Sequence, residues 1–259
     1  MLLRGSGPPL VLIPGIQGRW EWMRPAVAAL ARSFTVATYS LVGEPGTGVR
    51  LRADTPFDRH VEQADEVLAC TGWTDAVVCG VSYGGLVAVR YAAVRPGRVR
   101  ALVLVSAPGP RWRPDPSAQR YLRSPWLSAP AFAAGAPMRL WPELRAAAGS
   151  TPRACVSAAR HLANVALAPT SPSRMAARIR CLDGHDFGRD AASVRAPTLV
   201  VTGEPRLDQV VPVAGTLEYA EMIPGASFRR LARTGHLGLV TRPGEFAGLI
   251  TDFVNAIRP

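Results

Sequence analysis

Apolar residues gather along the chain into short runs rich in β-branched side chains: Leu10 to Ile13, Phe34 to Leu41, Ala76 to Gly80, Val99 to Val105 and Pro197 to Thr202, with a weaker run at Ser227 to Leu231. A run that is apolar at nearly every position suits a strand covered on both faces, the environment of a parallel sheet. Between these runs the spacing changes to threes and fours. It predicts helices over Trp22 to Arg32, Phe57 to Cys70, Leu86 to Val94, Val213 to Met222 and Glu245 to Ile257. Strand alternating with helix predicts an α/β fold built on a mostly parallel, doubly wound sheet.

The alternation stops once. From Pro108 to about Arg195 no strand pattern occurs; the stretch is rich in Pro, Ala and Arg and carries Trp112, Tyr121, Trp126, Phe132 and Trp141. It reads as a helical insertion, dividing the chain into a core of 1–107 and 196–259 and an insertion of 108–195. Nothing repeats at a fixed period.

With 259 residues, 48% of them hydrophobic, the chain can bury a full core. No stretch reaches the 18 or so apolar residues of a membrane span. The amino-terminal MLLRGSGPPLVLIPG has too short an apolar run for a signal peptide and lacks a small-residue cleavage site, so a cytoplasmic protein is expected. Cys70, Cys79, Cys155 and Cys181 lie far apart, without the spacing of a metal site, and are expected as free thiols.

The net charge is +11, yet all 30 basic residues are Arg, spaced mostly singly among Ala, Pro and Leu. That pattern fits a coding bias, and no zinc-finger, RNA-binding or helix-turn-helix motif accompanies it, so nucleic acid is not an expected partner. The charge is uneven: between Arg111 and Arg180 stand eleven arginines against Asp115 and Glu143. A basic cover of this kind can draw in anionic ligands, and an Arg-rich solvated helix surface is the plainer account.

The candidate chemistry lies in VVCGVSYGGLVAV, residues 77 to 89. A strand ending at Cys79 and a helix starting near Gly84 leave room only for a sharp turn, with Ser82 at its apex in a strained conformation and bare α-carbons at Gly80 and Gly84 on either side. A helix amino terminus behind the hydroxyl favours negative charge there. The plain alternative is a Gly/Ser loop.

Strand, Gly80-Val81-Ser82-Tyr83-Gly84, helix, strand, helical insertion, then PTLVVTGEPRLDQVVP and TGHLG: this order resembles the α/β-hydrolase fold with its nucleophile elbow, over nearly the whole chain. The resemblance implies that Ser82 is a nucleophile needing a base and an acid. It implies His236 as the base, since His236 follows a strand and a Thr-Gly turn, whereas His60, His161 and His185 read as surface or packing residues. It implies Asp208, before Gln209-Val210-Val211-Pro212, as the acid. The loop after Gly203 is longer than the common pattern, and Glu204 remains a rival. Oxyanion donors are implied at the N–H groups of Ile16 and Tyr83. Pro14 stands where many relatives carry a His before Gly15, which removes an imidazole that could brace this loop. Gln17, Trp20, Trp126 and Trp141 are candidate pocket residues, and Trp22 joins Trp20 after the oxyanion loop as a further aromatic that could line an apolar site.

The resemblance thus implies hydrolysis of a small-molecule carboxylic ester or lactone through an acyl-enzyme, with no metal and no organic cofactor. A Ser at the apex argues against the halide- and epoxide-cleaving branches, which use Asp. Carbon–carbon bond hydrolases, thioesterases and cofactor-free haloperoxidases share the triad, and a non-catalytic ligand receptor can retain it.

Overall fold

The computed structural model describes residues 1–52 and 54–257. Seven strands form one sheet: β1 (Leu2–Arg4), β2 (Pro9–Ile13), β3 (Thr35–Thr38), β4 (Ala76–Val81), β5 (Val99–Val105), β6 (Thr198–Thr202) and β7 (Ser227–Arg230). Their spatial order is β1-β3-β2-β4-β5-β6-β7. All pairs are parallel except β1 with β3. The sequence pattern does not predict β1. It is a three-residue edge strand with two exposed side chains, too short and too polar to show a period.

Side chains of the central strands alternate between two apolar layers, as strand geometry requires. Leu10, Leu12, Val77, Cys79, Ala101 and Val103 point to one face, where α1 (Arg24–Leu30), α11 (Gly238–Thr241) and α12 (Pro243–Ala256) cover them. Val11, Ile13, Val78, Leu102 and Leu104 point to the other, beneath α2 (Arg59–Thr71), α3 (Tyr83–Val94), α9 (Phe187–Ser193) and α10 (Val213–Met222). With both faces covered, β2, β4, β5 and β6 have no solvent side. That is why they read as nearly continuous apolar runs, broken in β5 only by the exposed Arg100.

Between β5 and β6 the chain adds α4 (Pro116–Arg123), α5 (Pro125–Ala134), α6 (Ala136–Ala148), α7 (Thr151–Leu167) and α8 (Pro172–Arg180), then α9. Each of α4 to α8 carries a Pro in its first two positions, where the missing N–H costs no hydrogen bond and the fixed φ suits the helix. The prolines of this stretch therefore start helices more often than they break them, although Pro130 and Pro142 lie inside α5 and α6. Among the described residues no helix is long and apolar enough to cross a membrane.

The strand order also sets where chemistry can occur. From β2 the chain returns to β3 on one side, while β4 lies on the other, so the connections leaving the carboxyl ends of β2 and β4 diverge from neighbouring strands paired at Ile13 and Gly80. Such a switch point opens a crevice at the carboxyl edge of the sheet.

Candidate active site

Ser82 sits at that edge of the sheet, between the end of β4 and the start of α3, with φ 53° and ψ −122°. A non-glycine residue holds this conformation only when its surroundings impose it. Here Ser82 N–H donates to Val105 O at 2.8 Å, and Gly85 N–H returns to Ser82 O at 2.7 Å. A methyl group at Gly84 would stand 2.4 Å from Ile13 O, so only a bare α-carbon lets α3 leave the turn this close to β2. Tyr83 opens α3, and its N–H belongs to the first turn, where amides have no intrahelical acceptor.

The loop leaving β2 comes up beside the hydroxyl. A side-chain carbon on Gly15 would lie 3.4 Å from Ser82 Cβ and 3.1 Å from Gln17 Oε1, which places Gln17 alongside the elbow as well. Gly18 N–H closes a tight turn on Gly15 O at 2.8 Å. The N–H of Ile16, inside that turn, finds no acceptor among the described residues.

Asp208 lies in the loop after β6, and its side chain is 1% exposed. Oδ1 accepts the N–H groups of Val210 at 3.0 Å and Val211 at 2.9 Å, while Oδ2 lies 3.4 Å from His236 Nδ1, a long approach. Burial pushes the Asp208 carboxyl up, but the bond and charge of His236 and the two backbone donors outweigh it, and the net shift is downward. Gly235 brings the two loops together: a methyl group there would stand 2.3 Å from Leu207 O. Glu204 is engaged elsewhere, accepting Arg233 N–H at 2.7 Å and Arg206 Nε at 2.9 Å. No hydrogen bond joins Ser82 to His236 in this structure.

The other histidines are packed away from this cluster. His60 is 1% exposed, with its ring 5.5 Å from that of Tyr83; burial, aided by the charges of Arg178 and Arg59, lowers its pKa to about 3. His161 meets the Trp22 ring edge-on, and His185 pairs with Asp190 at 2.9 Å. Trp20 packs against the layer of α1 and α12, with the Arg24 guanidinium 5.7 Å from its ring centre. Trp126 and Trp141, on α5 and α6, are 66% and 37% exposed. No hydrogen bond or ring contact among the described residues ties these three tryptophans to Ser82 or His236.

A family model of the alpha/beta hydrolase fold matches residues 8–243. The chain belongs to this family. It is 30% identical to the pimeloyl-[acyl-carrier protein] methyl ester esterase of Aromatoleum aromaticum, over 95% of this chain and 98% of that protein. It is 32% identical to the polyketide synthase ThaQ of Burkholderia thailandensis over 98% of its own length, which spans only 12% of that much longer protein. Among solved structures, the enol-lactonase of Burkholderia xenovorans LB400 superposes with a TM-score of 0.80 at 22% identity, covering 98% of this chain and 95% of the other. At that identity the likeness concerns the fold.

Two charged residues beside this α/β-hydrolase crevice are absent from the sequence reading of the site. Glu143 on α6 is 1% exposed, and its Oε2 accepts Leu237 N–H, next to His236, at 2.9 Å. Burial raises the Glu143 carboxyl, opposed by N–H donors of Leu237 and Gly235. Arg178 on α8 is fully buried, and its guanidinium reaches Ile16 O at 3.0 Å. In sequence, Arg178 is one of eleven arginines. Glu143 is one of only two acids among them, which was the sole signal available.

Proposed function

We propose that this chain is a serine hydrolase that cleaves a carboxylic ester or lactone through an acyl-enzyme, with the insertion 108–195 as a lid over the crevice. The observation that carries the reading is the backbone of Ser82, held at φ 53° beside an N–H of the β2 loop and at the start of α3. Strain of this kind at a strand-to-helix turn is a device for presenting a nucleophile. In the proposed reaction Asp208 accepts His236 Nδ1–H, fixing the tautomer that leaves Nε2 free to take the Ser82 proton. Ser82 Oγ attacks the acyl carbon, and the N–H groups of Ile16 and Tyr83 meet the oxyanion. Collapse expels the alcohol, protonated by His236. Water, deprotonated by the same imidazole, then attacks the ester of Ser82 and releases the acid. Nothing in this sequence calls for a metal or an organic cofactor.

The test is intact mass after treatment with a fluorophosphonate. One adduct is expected on the wild type and none on Ser82→Ala or His236→Ala. Folded wild-type protein that stays unlabelled refutes the reading.

A second reading, release of an acyl group carried on an acyl carrier protein, is favoured by the name of one relative, the pimeloyl-[acyl-carrier protein] methyl ester esterase. The eleven arginines between Arg111 and Arg180 suit an acidic carrier. It predicts faster turnover of a carrier-borne acyl thioester or ester than of the same acyl group on free pantetheine or methanol. That advantage should shrink as salt rises. Equal rates leave the first reading alone.

A further inference from the structure

The turn Gly15-Ile16-Gln17-Gly18 carries the Ile16 N–H, and its geometry has two parts. The Gly18 N–H bond to Gly15 O fixes the first peptide unit, to which the Ile16 N–H also belongs. The central unit, carrying the Ile16 carbonyl, is not fixed by that bond, because turns of types I and II share it and differ by a flip of this one peptide. Pro14 cannot help, having neither an N–H nor a polar side chain.

Something else holds the central peptide. Arg178, from α8 and 162 positions away in sequence, donates Nη1 to Ile16 O at 3.0 Å. Its Nη2 donates to Val42 O at 3.0 Å and to Glu44 Oε1 at 2.8 Å. Both side chains of this ion pair are 0% exposed. Arg174, one turn earlier on α8, also reaches Glu44 Oε1, at 2.9 Å. The turn is shaped to receive the guanidinium: at Gly18, φ 73°, a methyl group would stand 2.4 Å from Arg178 Nη2. Leu41 N–H then ties Gly18 O to the chain after β3 at 2.8 Å.

We propose that Arg178 is the positioning residue of the oxyanion loop, anchored by Glu44 and holding the Ile16–Gln17 peptide, so that the turn keeps one shape and the Ile16 N–H on its first peptide stays beside Ser82. A planar fork with donors in fixed directions suits this task, because it can grip the Ile16 and Val42 carbonyls and a carboxylate together, which a lysine cannot. The proposal rests on the hydrolase reading above. A group that acts only through the loop should matter when charge develops on the acyl oxygen and little before.

The experiment compares wild type, Arg178→Lys and Glu44→Gln, with thermal melting recorded for each. Each is measured for turnover of a simple activated ester and for inhibition by a trifluoromethyl ketone, which adds Ser82 to form a tetrahedral oxyanion, against its methyl ketone isostere. The expected result for Arg178→Lys is a kcat lower by roughly 10²-fold with KM nearly unchanged, the scale of losing or misplacing one oxyanion donor. Affinity for the trifluoromethyl ketone should fall in parallel and that for the methyl ketone should not. Glu44→Gln should show the same split at smaller amplitude. Equal losses for both ketones, an unchanged kcat, or loss of folding in Arg178→Lys without the split in Glu44→Gln would overturn the assignment. A wild type that binds neither ketone covalently and turns over no ester would instead refute the hydrolase reading itself.

Discussion

Replacing Asp208 by Asn and by Ala should separate catalysis from stability, because the two carboxylate oxygens do different work. Oδ1 accepts two backbone N–H groups, and Oδ2 faces His236. An Asn can keep its carbonyl oxygen on Val210 and Val211 and so preserve the loop. Its amide then turns a donor toward His236 Nδ1 and selects the tautomer with the proton on the wrong nitrogen. A loss of about 10⁴ in kcat is expected from that reversal, or roughly 5.5 kcal/mol of transition-state stabilisation. Ala also loses the histidine's partner, and in addition strands the buried Val211 N–H at about 1–3 kcal/mol, while the N–H of exposed Val210 can turn to water. The Ala variant should therefore unfold at clearly lower denaturant, while the Asn variant unfolds close to wild type at neutral pH. Acid distinguishes them again. The folded Asp208 carboxyl titrates below its unfolded value, so its contribution is present above about pH 3.9 and is lost as pH falls further. Wild type should lose stability in that acid range faster than the Asn variant. The assay is ester turnover beside urea unfolding at pH 7 and below pH 4. An Asn variant within tenfold of the wild-type kcat, or a Glu204→Gln variant that loses activity instead, would refute the assignment of Asp208.

Three further outcomes follow from the same geometry. Glu143→Ala should leave Leu237 N–H without its acceptor, costing about 1–3 kcal/mol in urea unfolding and about tenfold in kcat through the loop of His236, whereas Glu143→Gln, which keeps an acceptor, should stay near wild type in both. His60 refuses a proton when folded that it accepts when unfolded, so stability is intact above pH 6.5 and falls toward pH 3; His60→Phe should remove about 3 kcal/mol of that loss by pH 4.5, read from unfolding curves at pH 7 and 4.5. Gly235→Ala must push the loops of His236 and Asp208 apart, and steady-state kinetics should show kcat lower by roughly 10²-fold with KM little changed.

What could be read from the sequence divides by the range of the forces involved. Strands β4, β5 and β6 are legible to within about a residue because burial on two faces makes nearly every position apolar or small, Arg100 on β5 being the exposed exception. The elbow is legible because the strain at Ser82 demands glycines at fixed local offsets. The run Phe34 to Leu41 overreaches, since only Thr35–Thr38 pairs in the sheet, and the residues beyond are apolar because they are buried in the loop. Glu143 and Arg178 are illegible for the opposite reason. A charge in a sequence predicts solvent, and the partners that make burial tolerable lie 94 and 134 to 162 positions away.

Those two residues also constrain how the crevice can open. The loops of the site issue from the sheet, yet each is gripped from the insertion: α6 accepts an N–H from the loop of His236, and α8 donates to the loop of Ile16. Lifting the whole insertion as one body would break both contacts, and the Arg178–Glu44 ion pair with them, and free the loops of His236 and Ile16 from these supports. Opening that preserves the site must therefore leave α6 and α8 in place. The rest of the cover is free of this restriction, since α5 buries no residue and α7 buries only Ala154. Helices so weakly packed open locally at small cost. Substrate entry is thus expected past α4, α5 and α7, and hydrogen exchange should find their amides far less protected than those of α6 and α8. Uniform protection across the five helices would mean that the insertion moves as a unit, and that the grip on the two loops is released at every turnover.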